Sequence, residues 1–287
     1  MLTCRKGKKV DQTTLMKFSI VTPSFNQLDH LKRCVASVAD QAGSFELEHL
    51  IHEGGSGAEF EKWSLGQDSA SVVMEKDKGM YDAINRGFLR SSGDILAWLN
   101  CDEQYLPGSL DAVARWFTSH PHKDILFGDV VIVSAEGIPL SYRKAISPLK
   151  GHIRNCFLST YSAATFIRRS ILNDGNLLDI NKIAIADAIW IHALLKKGYS
   201  CGVLNIPLSI FLQTGENLGQ SASAIKEAED WRGNRPLQRK FWGGFHRLRK
   251  FLAGCYSQKS VHLDLYLASF PDRQVREAQV GEVWKTK

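Results

Sequence analysis

The 287-residue sequence is first informative in what it lacks. Its longest apolar runs, such as Asp124-Ile-Leu-Phe-Gly-Asp-Val-Val-Ile-Val133, fall far short of the ~20 residues a membrane-spanning helix needs. The first ten residues, Met1-Leu-Thr-Cys-Arg-Lys-Gly-Lys-Lys-Val10, are basic but have no apolar stretch behind them, so they do not read as a secretory signal. Six cysteines, at 4, 34, 101, 156, 201 and 255, form no close pairs, which disfavours both a disulfide framework and a zinc site and fits a reducing compartment. No repeat, no Gly-x-Gly-x-x-Gly after a strand and no Walker loop is present, so the commonest nucleotide folds are disfavoured. One region lacks acid altogether: residues 231–259 carry eight Lys or Arg and no Asp or Glu, within a chain of net charge +6. The remainder is slightly acidic. A segment charged in this way suits an anionic partner, and Phe241, Phe245, Leu248 and Leu252 add an apolar stripe at helical spacing. The stripe fits either a membrane interface or packing on the protein's own core. No helix-turn-helix, zinc-finger or RNP pattern supports nucleic acid as the partner.

What is present reads as alternating strands and helices. Lys17–Thr22 is strand-like and is stopped by Pro23-Ser-Phe-Asn26; Leu28, Leu31, Val35 and Val38 then recur at helical spacing. Glu46–Glu53 and Ser71–Met74 read as the next strands, with His49 and His52 as strand-face residues rather than metal ligands. Met80, Ile84, Gly87 and Phe88 mark one helical face, with Asp82 and Asn85 on another. Ser92-Gly93 ends that helix, and Ile95–Leu99 is an uninterrupted apolar run, as a strand covered on both faces requires. Such strands end in the crevice where open α/β sheets bind ligands, and here the chain places Asn100, Asp102 and Glu103. Neighbouring carboxylates are costly unless a positive charge neutralises them, and a divalent cation on a phosphorylated ligand does so. A helix over 110–117, strand material at 125–127 and 130–133, a returning hairpin strand at 138–143, and a helix over 183–198 closed by Gly198 complete the regular part. Asp187 stands near the start of that last helix, where a carboxylate can also serve simply as a cap. Residues 221–257 read as helical with a break near Gly243-Gly244.

The central block resembles the family 2 glycosyltransferases of the GT-A fold. Asp77-Lys-Gly-Met-Tyr-Asp-Ala-Ile-Asn-Arg-Gly87 is similar to a segment of a bacterial surface-polysaccharide branch, and Asn100-Cys-Asp102-Glu103 resembles the family's Asp-x-Asp motif. Val21-Thr-Pro-Ser-Phe-Asn26 resembles the family's opening strand and turn, and Ala184–Gly198 its catalytic helix. The resemblance covers roughly residues 17–215. It implies an α/β fold with a Rossmann-like nucleotide half (17–103), an acceptor and catalytic half (104–218), a basic N-terminal tail (1–16) and a basic helical C-terminal extension (219–287).

By resemblance, Thr22, Pro23, Asn26, Glu53, Asp77, Asp82, Asn85, Arg86, Asn100 and Asp102 hold the nucleotide sugar, with Arg86 at the diphosphate or, equally, a solvated helix charge. Asp102 and Glu103 hold Mn²⁺ or Mg²⁺, and Asp187 is the base that takes the acceptor proton. The implied reaction is inverting transfer of one sugar to a glycan or polyprenyl-diphosphate-linked acceptor. The implied setting is the cytoplasm, with attachment to the anionic inner face of the plasma membrane through 231–259. The Gln-x-x-Arg-Trp motif of processive members is not present. Three departures are visible: Gly57-Ala58 for Thr-Asp, Ser162-Ala163 for His-Gln, and Ala186 for the acid that often precedes the base. They keep open a second expectation, a non-catalytic nucleotide-sugar or glycan-binding protein on the same fold. Phe211–Leu218 is expected beside the active site.

Overall fold

A computed structural model describes residues 15–213, 219 and 221–282. The nucleotide half begins with β1 (Met16–Ser24), α1 (Leu28–Ala39), β2 (Phe45–Glu53), α2 (Ala58–Ser64), β3 (Ser71–Met74), α3 (Met80–Arg90) and β4 (Ile95–Trp98). There follow β5 (Gln104–Tyr105), α4 (Ser109–Ser119), β6 (Ile125–Ser134), β7 (Pro139–Arg143), α5 (Lys150–Asn155), β8 (Thr165–Arg168), α6 (Ser170–Asn173), α7 (Ala186–Lys197) and β9 (Cys201–Gln213). The C-terminal part holds α8 (Ala222–Arg232), α9 (Pro236–Leu252) and an antiparallel hairpin, β10 (Lys259–Tyr266) with β11 (Arg273–Val280).

Among the described residues the main sheet runs β3-β2-β1-β4-β8-β6-β9-β5, with β7 paired to β6. The first four strands are parallel, and β8 enters antiparallel between β4 and β6. The sheet is mixed α/β with a parallel nucleotide half, as expected. Period-two alternation divides the core. Phe18, Ile20, Ile95 and Ala97 face α1 and α4, whereas Val21, Leu96 and Trp98 face α3 and α7. α3 lies close on β1 because residue 87 is glycine: a Cβ there would stand 2.4 Å from a Val21 methyl.

The order β2-β1-β4 reverses direction at β1, so the carboxyl ends of β1 and β4 flank a crevice at the switch point. The αL residue Gly198 ends α7 (φ 99°), as the sequence suggests.

The C-terminal region departs from expectation in three respects. The helical break falls at Gly233–Arg235, where Pro236 starts a new helix, and α9 runs on through Gly243-Gly244. Residues 259–280 form strands, not helix; Val261, Leu263 and Leu265 pack on Val131, Val133 and Ile210 of β6 and β9. The hairpin is also tied by Gln104, whose side chain exchanges hydrogen bonds of 2.8 and 2.9 Å with the backbone of Tyr266. Finally, the apolar stripe of α9 points outward. Trp242, His246, Arg249 and Lys250 form the inward face, with Trp242 seated on Gly151 of α5, whereas Phe241, Phe245, Leu248 and Leu252 are exposed. No described helix is long and apolar enough to cross a membrane. The N-terminal tail through residue 14 and residues 214–218 and 220 lie outside the described residues, and with them most of the Phe211–Leu218 stretch expected beside the active site.

Candidate active site

A cavity of about 910 Å³ occupies the switch-point crevice. Its floor is the ends of β1 (Pro23, Ser24) and β4 (Trp98), and its walls come from the loops carrying Asp77, Asn100 and Asp102 and from the start of α7. Of the residues expected to hold donor, metal or proton, Pro23, Asp77, Asn100, Asp102 and Asp187 line this one space. They come from four separate stretches of chain.

Each is fixed by local geometry. Asp77 Oδ1 accepts the Gly79 N–H at 2.8 Å, and its Oδ2 lies 3.8 Å from His52 Nε2. Gly54 permits this approach, since a Cβ there would stand 3.1 Å from Asp77 Oδ2. Asn100 accepts the Glu103 N–H on its carbonyl at 3.0 Å, closing the turn that presents Asp102. Burial holds the Asp102 carboxyl above the usual carboxylate range, with the His30 imidazole acting the other way. Asp187 sits in the first turn of α7, lines the cavity and accepts the Ala188 N–H on Oδ1 at 2.7 Å. Burial pushes its carboxyl up to about 6. That is near the working range of a general base. A local hydrogen bond at the helix start and a place on the cavity wall thus coexist at this one carboxylate.

Seven expected residues do not line the cavity, and each has a structural engagement instead. Thr22 is fully buried and pairs with His49 Nε2 at 2.9 Å. Asn26, in the left-handed region at φ 54°, shapes the turn after β1, and its N–H donates to Ser56 Oγ at 2.6 Å. Glu53 is buried at the end of β2, where its Oε1 accepts the N–H groups of Gly55 and Ser56. Asp82 accepts the Lys78 N–H at 3.0 Å, and Arg86 is held by Asp82 and Glu75. Asn85 is buried and clamps Leu178: its amide donates to the Leu178 carbonyl at 2.8 Å and accepts the Leu178 N–H at 3.0 Å. Glu103 is wholly buried, with Oε2 accepting the Asn100 N–H at 2.9 Å; burial first and the Asp102 carboxylate second raise its pKa well above the usual range. The motif thus sends Asp102 outward and turns Glu103 inward as a brace.

Of the other cavity residues, Ser162 and Phe211 belong to stretches singled out from sequence, whereas His30 and Lys76 are not singled out as site residues. His30 and Lys76 bring basic side chains to the space, and Tyr81, Ser162 and Phe211 line it. Lys76 lay within the recognised block, so the signal was there; His30 sits in the first turn of α1 and carries no local signature. Glu227 of α8 reaches back to the start of α7, its carboxylate accepting the N–H groups of Ile183, Ala184 and Ile185 at 2.9, 3.0 and 3.2 Å. These are orphan donors just before a helix start, and the acid that satisfies them lies more than forty residues downstream, out of reach of local reading. His49 and His52 are both interior strand residues, and burial holds His49 down to about 3.

Comparison with known proteins agrees with this architecture. The model of Glycosyl transferase family 2 matches residues 19–175, more than half of the chain, and the chain belongs to that family. A PGL/p-HBAD biosynthesis glycosyltransferase of Mycobacterium bovis BCG is 34% identical over 125 residues, covering 41% of this chain and 48% of that protein. An uncharacterized glycosyltransferase of Mycobacterium tuberculosis is 36% identical over 95 residues, covering 32% and 36%. The alignments thus span between about a third and a half of these relatives. Among solved structures, Staphylococcus aureus TarS 1-349 in complex with UDP-GlcNAc superposes with a TM-score of 0.58 at 17% identity, covering 79% of this chain and 69% of that one. The mannosyltransferase PcManGT from Pyrobaculum calidifontis, in complex with GDP-Man and Mn²⁺, does so with 0.52 at 12% identity, covering 72% and 59%. At these identities the likeness is one of fold: GT-A.

Proposed function

We propose that the chain is an inverting transferase that moves a single sugar from a nucleotide-sugar donor to a hydroxyl of a glycan or lipid-linked acceptor in cell-surface polysaccharide synthesis. The observation that carries the reading is that Asp102 and Asp187, from opposite halves of the chain, line one cavity at the switch point. Solved structures of the same fold hold UDP-GlcNAc, or GDP-Man with Mn²⁺. That favours the donor class and a divalent cation here.

Among the described residues no group of three or more His, Cys, Asp or Glu side chains is placed to hold a metal. The residues fit a cation bound through one carboxylate and completed by donor phosphate oxygens and water, which is how Mg²⁺ commonly binds with phosphates. Asp102 is the residue that would hold it; Glu103 points away. When bound, the cation neutralises charge on the departing nucleoside diphosphate. Lys76 lines the same space and adds positive potential toward the phosphates, whereas burial first and Arg33 second lower the pKa of His30, which lines it as a hydrogen-bonding group. The Asp187 carboxylate accepts the proton of the acceptor hydroxyl as that oxygen bonds to the anomeric carbon. The carbon–oxygen bond to the diphosphate breaks on the opposite face, so one displacement inverts the centre. The lipid-linked acceptor and attachment to a membrane surface draw support from the exposed apolar stripe of α9, flanked by Arg247 and Lys240.

The test is nucleotide release from a panel of UDP-, GDP- and dTDP-sugars with a membrane lipid extract as acceptor, with Mn²⁺ or chelator. We expect metal-dependent release from one donor, abolished in Asp102→Ala and in Asp187→Asn. Donor binding without turnover on any acceptor would move the reading to a nucleotide-sugar-binding protein.

A further inference from the structure

A second cavity, of about 700 Å³, opens between β6, β7, α5 and α9 and shares no lining residue with the first. Its charge is one-sided: among the described residues five cations, Arg143, Arg232, Arg239, Arg247 and Lys250, face a single carboxylate, Glu282. Glu282 is already committed, to Arg143 at 2.7 Å and to Lys250. Arg232, Arg239 and Arg247 form no ion pair among the described residues. They nonetheless gather at one place. The positive charge of all three acts on the Cys156 thiol, and Arg239 acts on Arg232 itself. Like charges held together in a concave wall raise the local potential and attract a counter-charge.

The wall also carries a polar group with no partner. His246 is 4% exposed, stacks on His152 with ring centroids 3.8 Å apart, and neither of its ring nitrogens makes a hydrogen bond. Burial, reinforced by His152 and the neighbouring cations, holds it down to about 3, so the ring is neutral near pH 7 and offers one N–H. A buried donor without a partner is uncommon and calls for one.

We propose that this cavity is a binding site for a phosphate or diphosphate group, with Arg232, Arg239 and Arg247 as its charge partners and His246 as a neutral donor in its wall. Three guanidiniums exceed what one carboxylate ligand neutralises, and their planar forks match tetrahedral phosphate oxygens. A concave pocket with a buried imidazole suits an inserted group rather than a flat surface, and the apolar stripe of α9 lies on a neighbouring face of the helix, with Phe241 and Phe245 beside Trp242. The inference does not rest on the transferase reading.

The test is calorimetric titration of the full chain, in chelator, with inorganic phosphate, pyrophosphate and sulfate, beside co-sedimentation with phosphatidylglycerol vesicles. The variant is R239Q/R247Q, both positions being exposed, with R239K/R247K beside it. We expect pyrophosphate to bind more tightly than phosphate, less tightly at raised salt, and at least about tenfold more weakly in the Gln pair, with the Lys pair between. Vesicle binding with the same sensitivity would identify a lipid headgroup as a source of the phosphate; its absence would identify a soluble one. Failure of the wild type to bind either anion at millimolar concentration would overturn the site. Equal binding by wild type and Gln pair would also overturn it, placing the anion elsewhere. Vesicle binding that falls in the Gln pair without any binding of soluble phosphate would assign the cations to a membrane surface and likewise overturn it.

Discussion

The two cavities of this molecule are built on opposite plans. The larger lies where parallel strands end; its acids, Asp77, Asp102 and Asp187, are each placed by a turn or helix start within a few residues of themselves. The smaller lies where α9 meets α5; four of its cations, Arg232, Arg239, Arg247 and Lys250, come from neighbouring α8 and α9, and the cavity around them is closed by packing against segments some ninety residues earlier. An acidic site that takes an anion needs a cation or protonation to become attractive. A basic site is attractive as it stands. On the proposed reading the first is thus conditional, on metal and pH, and the second is constitutive. The comparison also shows where the C-terminal region joins the first half: Glu227 of α8 braces the loop that presents Asp187, so the basic extension is part of the candidate active site's support.

The sharpest way to break the contrast is to remove the conditional acid. Asp187→Asn is expected to lower turnover ~10²–10⁴-fold while donor binding persists, the usual range for loss of a general base. Because burial raises the Asp187 carboxyl to about 6 from an ordinary 3.8, kcat of the wild type should climb as pH rises through about 6, and the variant should lose that limb. The linked stability has the opposite sign. A carboxyl whose pKa is raised on folding disfavours the folded state progressively as pH rises from its unfolded to its folded value. Asp187→Asn should therefore melt no lower than wild type at pH 8, which thermal melts across pH would check. A next, smaller effect follows from the brace. Glu227→Ala leaves three N–H groups before α7 without their acceptor, and kcat should fall by roughly 10–100-fold through misplacement of the base, with the donor KM little changed. Glu227→Gln, which keeps one acceptor oxygen, should recover part of that loss. An equal fall in Asp187→Asn and in the Asp187→Asn/Glu227→Ala double variant would show that the brace acts through the base.

Legibility in the sequence followed the same divide. Most of the parallel half was readable because its strands and turns are local: Ser71–Met74 is β3 to the residue, and Ile95–Leu99 loses only its last position, while the short helix α2 was missed. The elements that escaped reading are fixed by distant partners. Strands β10 and β11 have mixed composition and become strands by pairing with each other and packing on β6 and β9. Gly243-Gly244 reads as a break by propensity, yet α9 continues because Trp242 docks on Gly151. Within the candidate site, motif position told which loops matter but not which way a side chain turns. Adjacent Asp102 and Glu103 diverge, and Asn85, two turns from Asp77, clamps Leu178. That last point is open to measurement. Asn85→Ala should cost about 1–3 kcal/mol of stability by leaving the buried Leu178 backbone groups unpaired, with no change in donor KM. A raised KM at unchanged stability would return Asn85 to the donor.

The smallest expected effect on the folded protein tests what the outward face of α9 is for. Phe241 is 64% exposed and Phe251 65%, and neither closes the core, so Phe241→Ser/Phe251→Ser should leave unfolding free energy within about 1 kcal/mol of wild type. Phe241 stacks on Phe245 with ring centroids 6.2 Å apart, and contiguous exposed apolar surface marks an interaction site. If they enter a lipid interface, sedimentation with phosphatidylglycerol vesicles should fall sharply in this variant at constant charge, whereas R239Q/R247Q, which keeps the aromatics, should retain more of it at raised salt, where charge is screened. The two variants then separate apolar insertion from anion capture on neighbouring faces of one helix. Full retention of vesicle binding in the Phe pair would leave the stripe without a membrane role and confine attraction by this region to the basic cavity.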